Sequence, residues 1–357
     1  MQVKLLSTIQ PQKNRVINFL FADRRKEKTA KKIREPDILI FDDIEFNALA
    51  SGGLAPLGAY VDDETGAQLF AVPLVSFMDL LFYNIDLLQA SGFDRPPKTR
   101  EEFIDAAKAV SEAGNGAAGT AVCLNAEDSL ALSRDFFSWL WAAGNDLWQG
   151  GDAPAIDSRA MINDIFFFGR LLREGAMNSH GFHITGDQKL EEFAEGKIAM
   201  MIASTRAIPA LREKMGEKFG ITDIPGSGLA GRYSAGLTGL YAGINSETKA
   251  PGKALSFINY LIEQRPLLCA ELKAVPGIVS EAIPGDYVRD DPFYSKAREI
   301  FESAVIVQGF LGKKGSDEFE NIFREEMIKY FETGRSERET AAVIQNRLDE
   351  IFNRESQ

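Results

Sequence analysis

Three groups of residues in this chain have the types and spacing to do chemistry. The first is a set of acids, Asp42, Asp43 and Glu45, directly after the apolar run ILIF at 38–41. Carboxylates accept hydrogen bonds from hydroxyls and serve as general acids or bases. The second is an aromatic window at 129–148, where Phe136, Phe137, Trp139, Trp141 and Trp148 crowd together and all 3 tryptophans of the chain fall. Aromatic rings carry large apolar faces that either fill a core or line a cleft. Consecutive aromatics on one helix cannot all be buried in a single stripe, so about half are expected in the core and the rest at a helix end or a cleft. The third is GSGLAG at 226–231, which has the G-x-G-x-x-G spacing of a dinucleotide loop.

The glycine loop lacks its required context. A dinucleotide fingerprint needs a strand before it, a helix after it and an acid about 20 residues on. Pro225 precedes Gly226, and RYSAGLTGLYAGIN follows, which reads as extended or looped. Without a helix N-terminus there is no dipole to receive a pyrophosphate, so the loop is read as a connection between two strands. His180 and His183, the only histidines, form H-G-F-H, which matches neither a zinc-protease helix nor a finger and is read as loop chemistry. Cys123 and Cys269 sit in apolar neighbourhoods and are expected to pack as small hydrophobes, a disulfide requiring that they meet in space. No metal or cofactor is expected. Nor do Asp42 and Asp43 alone make a glycosidase pair, which needs two carboxylates facing one bond at a set separation.

Hydrophobic patterning supplies the elements that position these groups. VKLLSTI (3–9) reads as a strand and 12–34 as one helix or two. ILIF (38–41) is a continuous apolar run of the type buried in a parallel sheet. The acids then lie at the carboxyl end of a strand, where ligands sit in open α/β sheets. Asp43 is equally placed to cap a helix from Ile44 to Ala50 that ends at Gly52-Gly53. LFAVPLV (69–75) and LLFYN (80–84) are two further extended segments. Thr99 and Glu102 form a capping box before an apolar stripe of Phe103, Ala106, Ala107 and Val110. Helices are expected over 158–174, from about Arg206, over 253–265, 292–304 and 317–333, and from Ser336 to about Phe352. IAMMIA (198–203) and GLYAGIN (239–245) read as strands.

A length of 357 residues implies two domains or lobes, and no linker separates them, so they are expected to be interleaved in sequence. The net charge of −12 opposes nucleic acid and anionic membrane as main partners. No apolar stretch reaches the ~18 residues of a membrane span, and MQVKLLSTIQPQKN lacks the features of a signal peptide, so any export signal is expected to be absent from this chain.

VPLVSFMDLLFYNIDLLQASGFDRPPKTREEFIDAAKAV (72–110) resembles the central signature of the extracellular solute-binding proteins of ABC sugar importers, a maltose-binding-protein-like family. Three other blocks are similar to that family in the same order: PDILIF with DDIEF and LASGGLAPL (36–57), FAEGKIAMM (193–201), and GLYAGINSETKAPGKALSFINYL (239–261). The resemblance implies an α/β, two-lobed type II periplasmic-binding-protein fold, each lobe a mixed sheet flanked by helices and joined by crossover hinge segments. It implies lobe 1 from 1–84 and 241–285 and lobe 2 from 85–240 and 286–357. It also implies a binding subunit that captures a sugar or oligosaccharide in an interlobe cleft, closes on it and delivers it to permease transmembrane subunits, as a monomer without catalysis. Its place would be periplasmic, or lipid-anchored at the outer face of the cytoplasmic membrane.

By the same resemblance the ligand groups would be Asp42, Asp43 and Glu45 in the first-lobe loop, Ser76 and Phe77 after V-P, the rings of Phe136, Phe137 and Trp139, and Phe319 near the C-terminus. Two features depart from the family pattern. Ser204-Thr-Arg206 stands where many members have G-x-W, which makes Arg206 a candidate for a hydroxyl or carboxylate. Only 35 residues precede Pro36, where members usually have room for a further strand–helix unit. The alternatives are a carbohydrate-active enzyme and a receptor for a non-sugar or anionic solute.

Overall fold

The computed structural model describes residues 36–50, 52–57, 69–125, 132–148, 153–226, 234–276, 290–307 and 316–355. The elements read at 3–9 and 12–34, and all of GSGLAG beyond Gly226, lie outside them. The chain runs through β1 (Ile38–Phe41), α1 (Asp43–Ala50), β2 (Leu54–Ala55), β3 (Ala71–Asn84), α2 (Ile85–Ala90), α3 (Arg100–Glu112) and β4 (Ala118–Thr120). A π-helical turn (Ser133–Phe137) leads into α4 (Ser138–Ala142), followed by α5 (Arg159–Arg173), α6 (Gly186–Ala194), β5 (Ile198–Ser204), α7 (Ile208–Met215), β6 (Phe219–Thr222) and β7 (Ser234–Asn245). The remainder is α8 (Pro251–Glu263), α9 (Arg265–Leu272), β8 (Val275–Pro276), α10 (Pro292–Ser303), β9 (Val305–Val307), α11 (Ser316–Thr333) and α12 (Glu337–Glu355).

These elements form two compact units, Met1–Ser76 with Thr238–Tyr287 and Phe77–Leu237 with Val288–Gln357. β3 and β7 each pass from one unit to the other within a single strand, between Ser76 and Phe77 and between Leu237 and Thr238.

In unit 1, β1 and β2 both pair antiparallel with the second half of β7, and the start of β3 pairs antiparallel with β8. Among the described residues, the apolar run of β1 pairs with β7, in an antiparallel ladder. Four apolar residues signal burial but carry no information on the direction of their partner. The core packs Ile38, Val72, Leu74, Ala242 and Ile244 against Ala254, Ile258 and Leu261, which recur at helical spacing along α8.

In unit 2, Phe77–Asn84 of β3 lies between β5 and β6, antiparallel to both, and β4 joins β5 in parallel, which makes the sheet mixed. The two segments read at 69–75 and 80–84 are one strand of 14 residues. Its buried middle is held by bonds from outside the strand. The Met78 amide donates to Thr205 Oγ1 at 3.2 Å, and Asp79 meets a guanidinium described below. Helix α3 opens as expected, with Thr99 Oγ1 accepting the Glu102 amide at 3.2 Å. Glu102 itself reaches one residue further back than a capping box requires, to the Lys98 amide at 2.9 Å and to Arg95. Phe103, Ala106, Ala107 and Val110 are buried as the stripe required. Ala107 lies against β4 so closely that a Cβ on Gly119 would overlap its carbonyl.

Candidate functional site

In unit 1, the acids after β1 divide into a helix start and a brace. Asp42, not Asp43, is the N-cap of α1: its Oδ1 accepts the Glu45 amide at 3.1 Å, and Glu45 Oε2 accepts the Asp42 amide at 3.4 Å. This is a reciprocal capping box. The sequence reading of Asp43 as the cap was off by one residue because Asp43 already has helical geometry. Asp43 instead accepts the Gly239 amide at 2.6 Å and the Tyr241 hydroxyl at 2.8 Å, joining the first turn of α1 to β7. Burial pushes its carboxyl up to about 6, the charge of Asp42 adds to the rise, and the bonds from Gly239 and Tyr241 oppose it. The Tyr241 hydroxyl is raised by burial and by the Asp43 charge. Phe41, Phe46 and Tyr241 stack beside this brace. Ser76 is buried at the end of unit 1, in the ladder opposite Val275.

In unit 2, the aromatic window goes inward. Phe136 is 1%, Phe137 0%, Trp139 2% and Phe319 0% exposed. Phe136 stacks on Phe168 at 4.2 Å and meets Phe323 edge-on at 4.7 Å. Phe137 contacts Phe319 and Phe323. Trp139 lies against Phe103 and Phe167, with the Arg100 guanidinium over both Trp139 and Phe167. Rings covered by other rings offer no face to a sugar, so these four residues are core, contrary to their expected role. Trp141 and Trp148 belong to the same cluster. A helix cannot bury consecutive aromatics against one neighbour, but here α3, α5 and α11 approach from different sides, and a π-helical turn staggers the window.

Phe77 and Arg206 do come together. The Arg206 guanidinium lies 4.5 Å from the centroid of the buried Phe77 ring, while Arg206 itself is exposed. Arg206 stands in a short 3-10 turn capped by Ser204, ahead of α7.

Sequence reasoning missed three buried ion pairs of unit 2. Arg134 Nε donates to Asp79 Oδ1 at 3.0 Å. Lys189 bonds Asp135 and donates to the Ile202 carbonyl at 3.1 Å, while Asp135 Oδ2 accepts the Cys123 amide at 2.7 Å. Arg100 bonds Asp164 at 2.6 Å and the Trp139 carbonyl at 2.6 Å. Burial raises the carboxyls of Asp79 and Asp164, with Arg134 and Arg100 respectively opposing the rise. A signal for the first was present: an acid inside VSFMDLLF needs a cation, though nothing in the spacing says which.

His180 faces Glu192, Nε2 to Oε1 at 2.7 Å, in a 3-10 turn. Among the described residues no cluster of three or more His, Cys, Asp or Glu could hold a metal ion, and no helix is long and apolar enough to cross a membrane.

Residues 27–265 match the family model of the bacterial extracellular solute-binding proteins, and the chain belongs to that family. A probable ABC transporter-binding protein of Deinococcus radiodurans is 20% identical over 257 residues, covering 69% of this chain and 60% of that relative. The chain thus spans less than two thirds of that relative's length. Among solved structures, maltose-bound T. maritima MalE3 superimposes with a TM-score of 0.70 at 20% identity, over 89% of this chain and 85% of that one. UgpB from Mycobacterium tuberculosis, in complex with glycerophosphocholine, gives a TM-score of 0.71 at 23% identity, over 90% and 85%. The mixed α/β fold is that of the type II periplasmic binding proteins.

Proposed function

We propose that this chain is the solute-binding subunit of an ABC importer, that its solute is a carbohydrate or a sugar-like polyol derivative, and that it works outside the cytoplasmic membrane. The observation that carries the reading is the family match over residues 27–265. Solved chains of this fold include one holding maltose, MalE3, and one in complex with glycerophosphocholine, UgpB. Ligand binding selects one conformer of the chain, which the permease subunits then read; no bond in the solute is made or broken. Within unit 1 the candidate hydroxyl acceptors are Asp42 and Glu45, held by their capping box, while Asp43 positions the helix start that presents them. Within unit 2 the candidate contact is Arg206, oriented by Phe77.

The test is tryptophan fluorescence, titrated with mono- and oligosaccharides, sugar acids and glycerophosphodiesters, with chromatography of each mixture after prolonged incubation. A saturable change with the added compound recovered intact is the expected result. Appearance of a cleaved or transferred product would make the chain an enzyme instead.

A further inference from the structure

We propose that Gly239 and Tyr241 of β7 are positioning residues for solute capture, a clamp that fixes, through Asp43, where α1 begins and therefore where Asp42 and Glu45 stand. This rests on the solute-binding reading above and adds the groups that set and regulate its unit 1 acids.

Both oxygens of Asp43 are engaged by β7. Oδ2 accepts the Gly239 amide at 2.6 Å and Oδ1 accepts the Tyr241 hydroxyl at 2.8 Å. Asp43 is the first residue of α1, so these bonds hold the first turn of the helix. The acids that flank it, Asp42 and Glu45, are tied to each other by their capping box, and a shift of Asp43 carries both with it. Residues 239 and 241 lie two apart on a strand and share a face. A Cβ on Gly239 would stand 2.9 Å from the ring and hydroxyl of Tyr241. The missing side chain is what lets the phenol lie back across the strand and reach Asp43. The Tyr241 ring is buried, stacked on Phe41 and tilted against Phe46, which limits where its hydroxyl can point. All of these groups lie within unit 1.

The clamp responds to protons. An ionised carboxylate accepts both bonds with charge assistance, whereas a protonated one loses the charge and gives one acceptor position to its own proton. Burial raises the Asp43 carboxyl to about 6, Gly239 and Tyr241 oppose the rise, and Asp42 adds to it. Burial and the Asp43 charge raise Tyr241, so its hydroxyl stays a donor throughout. Asp42 and Glu45 are the other titratable groups at that helix start, and β1 brings only ILIF, without a charge. The acids are held most firmly above pH ~6, although Asp43 adds most to stability below it. Bond strength and burial cost respond to the charge in opposite directions.

The experiment reads clamp and binding separately, in the full chain. The amide shifts of Gly239, followed by NMR from pH ~4.5 to ~7.5, read the clamp and should titrate near pH ~6. Tyr241→Phe keeps the ring in its stack but removes a bond to the carboxylate, so the midpoint should move up. Gly239→Ala, whose methyl pushes the Tyr241 ring aside, should move it the same way, and Asp43→Asn should abolish it. Melting curves check that each variant folds. Calorimetry with maltose and with glycerophosphocholine over the same range reads binding. We expect affinity about 3- to 10-fold tighter at pH ~7.5 than at pH ~5, a loss of similar size in Tyr241→Phe at neutral pH, and a flat profile in Asp43→Asn. The binding profile of Tyr241→Phe should move with its amide midpoint. A Gly239 amide that does not titrate, or a Tyr241→Phe variant whose pH profile stays in place, with or without weaker binding, would overturn the clamp and leave the solute-binding reading standing. A clamp that titrates as expected while neither maltose, glycerophosphocholine nor any sugar acid binds would overturn the solute-binding reading and the role in capture with it.

Discussion

At the scale of single residues, a carboxylate's role is decided by what its oxygens already accept. Asp42 and Asp43 are neighbours in sequence, yet one starts a helix and the other ties that helix to β7. The D-x-x-E spacing of Asp42 and Glu45 was on the page in the sequence, but an adjacent acid competed for the same role. Asp43 yields a pH prediction. Its carboxyl lies near 6 in the folded chain against an ordinary value of 3.8. A raised value means that the folded state binds the proton more tightly. The group's contribution to stability is therefore full below pH ~4 and is lost as pH rises through ~6, amounting to about 1–2 kcal/mol after allowance for its partial exposure. Melting temperatures of wild type and Asp43→Asn between pH 4 and 7.5 should diverge across that window, and parallel curves would refute the assignment. Trp139 yields a second. Because its ring is core, Trp139→Ala should cost about 3–5 kcal/mol of stability. Solute affinity, measured below the new melting point, should change little. A large loss of affinity with an unchanged melting temperature would return Trp139 to the binding surface.

At the scale of elements, apolar patterning revealed most helices and strands but not how they are joined. β3 read as two strands because Ser76 and Asp79 interrupt its apolar run. Thr205, at the Met78 amide, and Arg134, at Asp79, hold the middle of the strand, and both lie far off in sequence. The aromatic window was legible as a cluster, yet its inward direction depends on Phe167, Phe168, Phe319 and Phe323 arriving from α5 and α11, which no local pattern announces. Two element-scale changes test these joints. Gly119→Ala should destabilise unit 2 by several kcal/mol, on the order of a severe overpacking, because β4 and α3 meet backbone to backbone there. Lys189→Ala should cost about 3–5 kcal/mol by leaving Asp135 buried without its cation, and Lys189→Met combined with Asp135→Asn should recover part of the loss. Chemical denaturation reads both. A Lys189→Ala melt equal to wild type would show that the pair is dispensable.

At the scale of the whole molecule, the family was legible in the order of short blocks along the chain. Four short blocks in the right order pointed to the family that residues 27–265 match. Each compact unit is assembled from separated stretches. A fragment ending at Leu237 would lack the part of β7 that pairs with β1 and β2, and α8 with it. Such a fragment should show no cooperative melting of unit 1. Binding groups were harder to read, because a ring or an acid in sequence does not show what else covers it. Solute capture without chemistry remains the central claim, and isothermal titration of the intact chain with sugars, sugar acids and glycerophosphodiesters, followed by recovery of the solute, tests it most directly. The account predicts one-to-one saturable heat, an unaltered solute and a melting temperature that climbs with solute concentration. Turnover of any of these compounds, or no heat from all of them, would contradict it.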